Sequence, residues 1–242
     1  TYTYNGLARS ASGFTATGLE NGETTTVLTG VSVSGGGTNA GTYTTTASGT
    51  DSNYTLSFVD GTMTINKAAL TVTAANVSKT YDGLSYSGGN GVTYSGFVNS
   101  ETSTVLGGSL FYSGTSQTAV NAGSYVITPS GLTASNYTLT YANGTLTVNK
   151  ATATVTANSD TYTYNGLARS ASGFTATGLV NGETTADLTG VSVSGGGTNV
   201  GAYTTTPSGT DTNYTLSFVD GTMTIGKTAL TVTAANASKT YD

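Results

Sequence analysis

Apolar and small polar residues alternate in short runs along this chain. Tyr54, Leu56 and Phe58 are interleaved with Thr55 and Ser57, and Met63 and Ile65 with Thr62 and Thr64. A period of two is that of a strand that buries one face. Asp60-Gly61 stands between the two runs, and an Asx-Gly pair flanked by alternating apolar residues predicts a type I′ hairpin, because both turn positions need positive φ. The pattern returns twice. Tyr137, Leu139 and Tyr141 reach Asn143-Gly144 and then Leu146 and Val148; Tyr214, Leu216 and Phe218 reach Asp220-Gly221 and then Met223 and Ile225.

No loop follows these pairs. The apolar positions are odd-numbered at Met63 and Ile65 and even-numbered at Leu70 and Val72, past Asn66-Lys67-Ala68. A shift of one residue turns every side chain to the opposite face of a strand. The expectation is one nearly continuous strand serving two cores, one on either side of the lysine. The same change of face recurs from Val148 to Val155 and from Ile225 to Leu230.

Taken in order, the middle copy opens with a leading strand, Leu70-Thr71-Val72-Thr73-Ala74, and a turn at Tyr81-Asp82-Gly83. The counterparts of that turn are Tyr4-Asn5-Gly6 and Tyr164-Asn165-Gly166, where the ring is expected on the core and the hydroxyl outward. Asn99 precedes Glu101 by two residues and Leu106 follows it by five, as at Asn21, Glu23 and Leu28 and at Asn181, Glu183 and Leu188. This spacing predicts the one short helix of each copy, with the carboxylate at its positive end. A strand through Ser109-Leu110-Phe111-Tyr112 and a Gly-rich loop lead to Asn121-Ala122-Gly123-Ser124-Tyr125, matched by Asn39 to Tyr43 and Asn199 to Tyr203.

The chain is therefore a repeat array, and internal repeats override the prior set by its 242 residues. Residues 1–82 recur almost letter for letter as 161–242. With Lys67, Lys150 and Lys227 as junctions, 1–66 is a partial module lacking its first strand. Residues 67–149 and 150–226 are complete modules, and 227–242 is the first strand of a further one.

Composition narrows the function. Only 8% of residues are charged and the net charge is −5. Seven Lys and Arg spread over three modules cannot form the clustered basic face that nucleic acid requires. No apolar run is long enough to insert in a membrane. Cys and His are both absent, which removes disulfides, thiolate metal sites and the commonest acid/base and nucleophilic groups. Abundant Thr, Val, Tyr and Gly with only two Pro favour a mostly β fold.

In combination, Tyr-Asp-Gly at 81–83, Gly-Phe-Val-Asn-x-Glu-Thr at 96–102, Asn-Ala-Gly-x-Tyr at 121–125, Ser-Asn-Tyr-Thr-Leu-Thr-Tyr at 135–141 and Gly-Thr-Leu-Thr-Val-Asn-Lys-Ala at 144–151 resemble the YDG/MBG repeat modules. Those occur in very large bacterial surface adhesins of the filamentous-haemagglutinin, two-partner-secreted kind. The resemblance implies tandem β-grasp-like modules with at most one short helix each, arranged end to end, with Ig-like β-sandwich modules as the alternative. It implies an extracellular location on a bacterial surface, and neither a catalytic residue nor a cofactor. Its structural motif positions here are Tyr81, Asp82, Gly83, Glu101, Gly123, Tyr125, Tyr137 and Gly144.

Candidate chemistry adds little to that. Glu20 and Glu23 lie close in sequence, but only Glu23 recurs, so a glycosidase pair is disfavoured. Asp51, Asp60 and Asp211 lie in loops without the Asp-x-Asp clustering that calcium favours. An isopeptide link would use Lys67, Lys150 or Lys227, yet a lysine at a strand junction is more simply a solvated residue. The Asn53-Tyr54-Thr55 sequon falls on a core tyrosine and reads as accidental. The expected function is a stalk or spacer that holds an adhesive region away from the cell. The competing reading is a glycan- or adhesin-binding module using loops such as Gly88-Gly89-Asn90-Gly91. Neighbouring modules of the same chain are the expected partners, together with head-to-tail self-association through 227–242.

Overall fold

Alternating Thr/Val/Tyr runs become strands wherever a partner strand lies beside them. The structure, a computed structural model, describes residues 1–241. It is mostly β, with no α-helix among the described residues. Contacts gather the chain into two compact units. The first holds residues 1–77, 87–118 and 125–146, and the second 78–86, 119–124 and the residues from 147 on. Neither division falls at a junction lysine. Both flanks of Lys67 belong to the first unit and both flanks of Lys150 to the second.

In the second unit, the leading strand Ala151–Ala157 lies between Phe174–Thr177, antiparallel to it, and Tyr214–Val219, parallel to it. A second sheet runs Asp160–Thr163, Gly221–Gly226, Gly201–Gly209, Val191–Ser194. Ala153, Val155 and Ala157 on the first sheet and Met223 and Ile225 on the second are buried, and Ala151–Ala157 lies against Gly201–Gly209 and Gly221–Gly226 of the second sheet. Parallel pairings in both sheets set this module apart from the all-antiparallel Ig-like alternative.

The first unit repeats both sheets. The leading strand Ala68–Ala74 lies between Tyr137–Ala142 and Val92–Ser95, while Tyr2–Thr3, Gly61–Asn66, Gly41–Gly49 and Val31–Ser34 form a four-stranded sheet. The change of face at the lysine is present: Met63 and Ile65 are buried on one side of Lys67, and Ala68, Leu70, Val72 and Ala74 on the other. The two cores expected on either side of Lys67 are instead continuous, since Tyr4, Met63, Ile65, Ala68, Leu70 and Tyr137 form one buried cluster.

Two further expectations are corrected. The Asx-Gly pairs do not close hairpins, because Tyr214–Val219 pairs with Ala151–Ala157 whereas Gly221–Gly226 pairs with Gly201–Gly209 and Asp160–Thr163. Glycine is needed there for close approach: a Cβ at Gly221 would meet the Ala157 and Asn158 carbonyl oxygens, each at 2.5 Å, and one at Gly144 the Ala74 oxygen at 2.6 Å. Secondly, the expected helix is one 3-10 turn, at Thr25–Val27, Ser103–Val105 and Thr185–Asp187. Asn21, Asn99 and Asn181 adopt left-handed φ of 50°, 50° and 54° ahead of it, whereas a helix N-cap is extended, as Thr24, Thr102 and Thr184 are.

Residues 227–241 form no strand, and Leu230 and Val232 are 84% and 85% exposed. Ala68–Ala74 and Ala151–Ala157 take their partners from later in their own modules.

Candidate functional site

Each compact unit contains a seam where one module meets the next, built from the motifs that recur. In the first unit, the Tyr4 hydroxyl donates to Glu101 Oε1 at 2.5 Å, and the Tyr137 hydroxyl donates to Glu101 Oε2. The two rings meet edge to face with centroids 5.6 Å apart, and Phe97 also meets the Tyr137 ring edge to face, at 5.5 Å. The Val98 amide donates to the Tyr137 hydroxyl at 3.1 Å. Each group follows from local structure. Tyr4 leads the Asx turn in which Leu7 N donates to Asn5 Oδ1, and Gly6 takes a φ of 75°. Tyr137 starts a strand, and Glu101 follows the left-handed Asn99.

The second unit repeats the arrangement. Tyr81 donates to Glu183 Oε1 and Tyr214 to Glu183 Oε2, with ring centroids 5.5 Å apart. The Val180 amide donates to the Tyr214 hydroxyl at 2.9 Å. Two carboxylate oxygens each take a phenol, so the charge is satisfied where it is half-buried.

Asparagines frame both seams. Asn99 and Asn181 give their amides to the Gly6 and Gly83 carbonyls, at 3.4 and 3.1 Å. The Asn136 amide donates to Asn39 Oδ1 at 3.1 Å while Ala40 N donates to Asn136 Oδ1 at 3.0 Å; Asn213 does the same with Asn121 and Ala122 N. Lys67 Nζ donates to the Ala134 carbonyl at 3.0 Å and Lys150 Nζ to that of Asp211 at 2.6 Å, so these two lysines fasten the start of the leading strand to backbone. Lys227 is exposed.

Burial, then the hydrogen bond to Glu101, pushes the Tyr137 phenol up to about 12; burial and Glu183 do the same to Tyr214. Tyr81 is raised further by the same two causes, and Tyr4 is raised first by its bond to Glu101 and then by burial. All four phenols stay protonated and donating through the neutral range. The arrangement ties the backbones of successive modules together.

The seams gather Tyr81, Glu101 and Tyr137 from the positions singled out in sequence. Gly83 contributes a φ of 72° and its carbonyl. Asp82 pairs with Lys79 at 2.7 Å, and this contact and the Leu84 amide hold its carboxyl below the usual range. Gly144 lies beside the leading strand, Gly123 starts the strand Gly123–Thr133, and Tyr125 is half-buried within it. Two sequence readings change. The Tyr4 and Tyr81 hydroxyls turn inward, to Glu101 and Glu183 respectively, rather than outward, and these carboxylates serve as acceptors rather than as helix-start charges. The recurring asparagines were visible in the sequence motifs, but their pairing across the seam was not: Asn121 and Asn136 and their counterparts hold the same place in every copy.

Asp51 and Asp211 are also explained. Asp51 Oδ1 accepts from the Asn53 and Tyr54 amides, and Asp211 Oδ1 from those of Asn213 and Tyr214, which shapes the loop ahead of the seam tyrosine.

Three tandem stretches of the chain, residues 1–64, 70–147 and 153–224, match the family model of the MBG domain (YGX type). A search among curated proteins returns no match.

Proposed function

Because the chain belongs to the MBG domain family of the YGX type, we propose that it is a stretch of stalk in a bacterial cell-surface adhesin, outside the cell, holding a distal adhesive region away from the surface. The seam carries this reading: one carboxylate takes a phenol from each of two successive modules, and the same bridge recurs at Glu101 and Glu183. A flexible Gly/Ser tether would contract as the square root of its length. Modules joined through a strand, a shared core and a hydrogen-bonded seam resist that contraction. They also stabilise each other, as nearest neighbours do in repeat proteins. Self-association through residues 227–242 belongs to the same reading, as the transfer of a leading strand to a neighbouring first module.

Small-angle scattering tests the stalk. Three modules of roughly ten-residue strands at about 3.3 Å rise give a maximum dimension of about 100 Å or more. A radius of gyration near the roughly 18 Å of a compact domain of this length would overturn it.

A further inference from the structure

The first and last segments of a complete module run side by side in the same direction. In the third repeat, Ala151–Ala157 pairs in parallel with Tyr214–Val219 over six residue pairs, and Asp160–Thr163 pairs in parallel with Gly221–Gly226 over four. One register serves both. From Ala151 opposite Tyr214 to Thr163 opposite Gly226 it does not slip by a residue, although the ladder passes from one sheet to the other on the way. Main-chain bonds close it at each end, where the Ala151 amide donates to the Asn213 carbonyl and the Tyr164 amide to that of Gly226, both at 2.9 Å. The middle repeat is built alike. Ala68–Ala74 pairs in parallel with Tyr137–Ala142, the Ala68 amide donates to the Asn136 carbonyl at 3.0 Å, and the Tyr81 amide donates to that of Asn149 at 2.7 Å.

The direction of these pairings decides how a module meets a pull. Tension along the array enters the third repeat at Lys150 and leaves it at Lys227. Ala151 stands at the Tyr214 end of the ladder and Gly226 at the Thr163 end, so tension draws the two segments lengthwise past each other. Every rung of the parallel ladder then carries a share and the rungs must break together, whereas a hairpin pulled at its two free ends opens one rung at a time. We propose that the paired first and last segments of a complete module are a mechanical clamp, loaded in shear, with which the array withstands tension along the chain. The inference rests on the stalk reading and adds to it: a stalk needs length, and the clamp supplies resistance to a pull.

The bend between the two sheets is a stop against sliding. A Cβ at Gly221 would meet the Ala157 and Asn158 carbonyl oxygens, each at 2.5 Å, and one at Gly144 the Ala74 and Ala75 oxygens at 2.6 and 2.8 Å. Under tension a slip of one residue would carry Asp220 into the place of Gly221, or Asn143 into that of Gly144, where there is room for a hydrogen only. It would also turn the buried faces of both segments outward. Side chains pin the same bend: the Thr205 hydroxyl donates to the Asn158 carbonyl and the Thr222 amide to the Ser159 hydroxyl, both at 3.0 Å. At the entry, the bond from Lys150 Nζ to the Asp211 carbonyl fastens the pulled end across the ladder.

Single-molecule stretching of the full chain tests the clamp. The chain has no cysteine, so paired thiol handles can be placed at will. Thr152→Cys with Thr224→Cys pulls along the ladder from its opposite ends; Thr152→Cys with Thr212→Cys pulls the segments apart sideways from one end. All three threonines are exposed, so neither pair touches the core. Forced rupture is governed by the unfolding barrier, and at one pulling speed the 152–224 pair is expected to hold to a several-fold higher force than the 152–212 pair. Equal forces overturn the proposal, and so does a weaker 152–224 pair. Small-angle scattering of the same variants reads the stalk by itself. Equal forces in a chain with a maximum dimension of about 100 Å reject the clamp and leave the stalk standing; a several-fold difference in a compact chain establishes the clamp and rejects the stalk.

Discussion

A half-buried carboxylate with two phenol donors is the residue-scale unit of this protein, and its energetics set two predictions. Glu183→Ala leaves the Tyr81 and Tyr214 hydroxyls without their acceptor; hydrogen bonds to a charged group are worth about 1.5–3 kcal/mol each, so the second unit should lose about 3–6 kcal/mol. Guanidinium denaturation followed by tyrosine fluorescence checks it, with Glu183→Gln expected to lose less because one acceptor oxygen remains. The second prediction concerns pH. The folded-state pKa of Tyr137 and Tyr214 is raised from 10.0 to about 12, so folding favours the neutral phenol. That contribution is fully present below pH 10 and disappears as pH rises through the folded value. The denaturation midpoint should therefore hold steady from neutral pH to about 10 and fall between about 10 and 12. Phenylalanine at position 214 should flatten part of that fall. The members of the bridge were legible from recurrence alone, since Tyr81, Glu101 and Tyr137 keep their places in each copy. Their association was not, because Tyr4 and Glu101 are 97 residues apart and nothing local links a turn in one repeat to a carboxylate in the next.

At the scale of elements, alternation located the strands and the change of face at the lysines, because burial on one side imposes a period of two regardless of which strand is the partner. Partner choice was hidden for the same reason. Tyr214–Val219 satisfies its pattern equally well beside Gly221–Gly226 or beside Ala151–Ala157, and the second pairing prevails with a parallel register of six residue pairs. The Asx-Gly pairs misled because glycine serves two purposes. At Gly83 it supplies positive φ, whereas at Gly144 and Gly221 it makes room for carbonyl oxygens of the leading strand. A substitution separates the two uses. Gly221→Val should destabilise the second unit by about 1–3 kcal/mol through overpacking against Ala157 and Asn158. Gly166→Ala, at a φ of 77° where a Cβ would meet nothing within 4 Å, should cost only the left-handed backbone strain of a non-glycine residue, about 1–2 kcal/mol. Thermal denaturation of the two variants, side by side, measures the contrast.

For the molecule as a whole, the seven Lys and Arg side chains form a set of probes. Arg9 and Arg169 lie in strands and stack on Tyr2 and Tyr162, with guanidinium carbons 5.1 and 4.8 Å from the ring centres. Lys67 and Lys150 are tied to carbonyls, and Lys79 lies in Val77–Thr80 paired with Asp82. Lys227 and Lys239 stand in the exposed, strandless tail. Proteolysis concentrates on unpaired segments of this kind, so trypsin on a dilute sample should cut after Lys227 and Lys239 first and leave a resistant fragment ending at 227. Mass spectrometry of the early fragments reads the order of cleavage, and early cuts after Lys67, Lys79 or Lys150 would mean that those side chains are not held by the Ala134 carbonyl, Asp82 and the Asp211 carbonyl as they are in the structure.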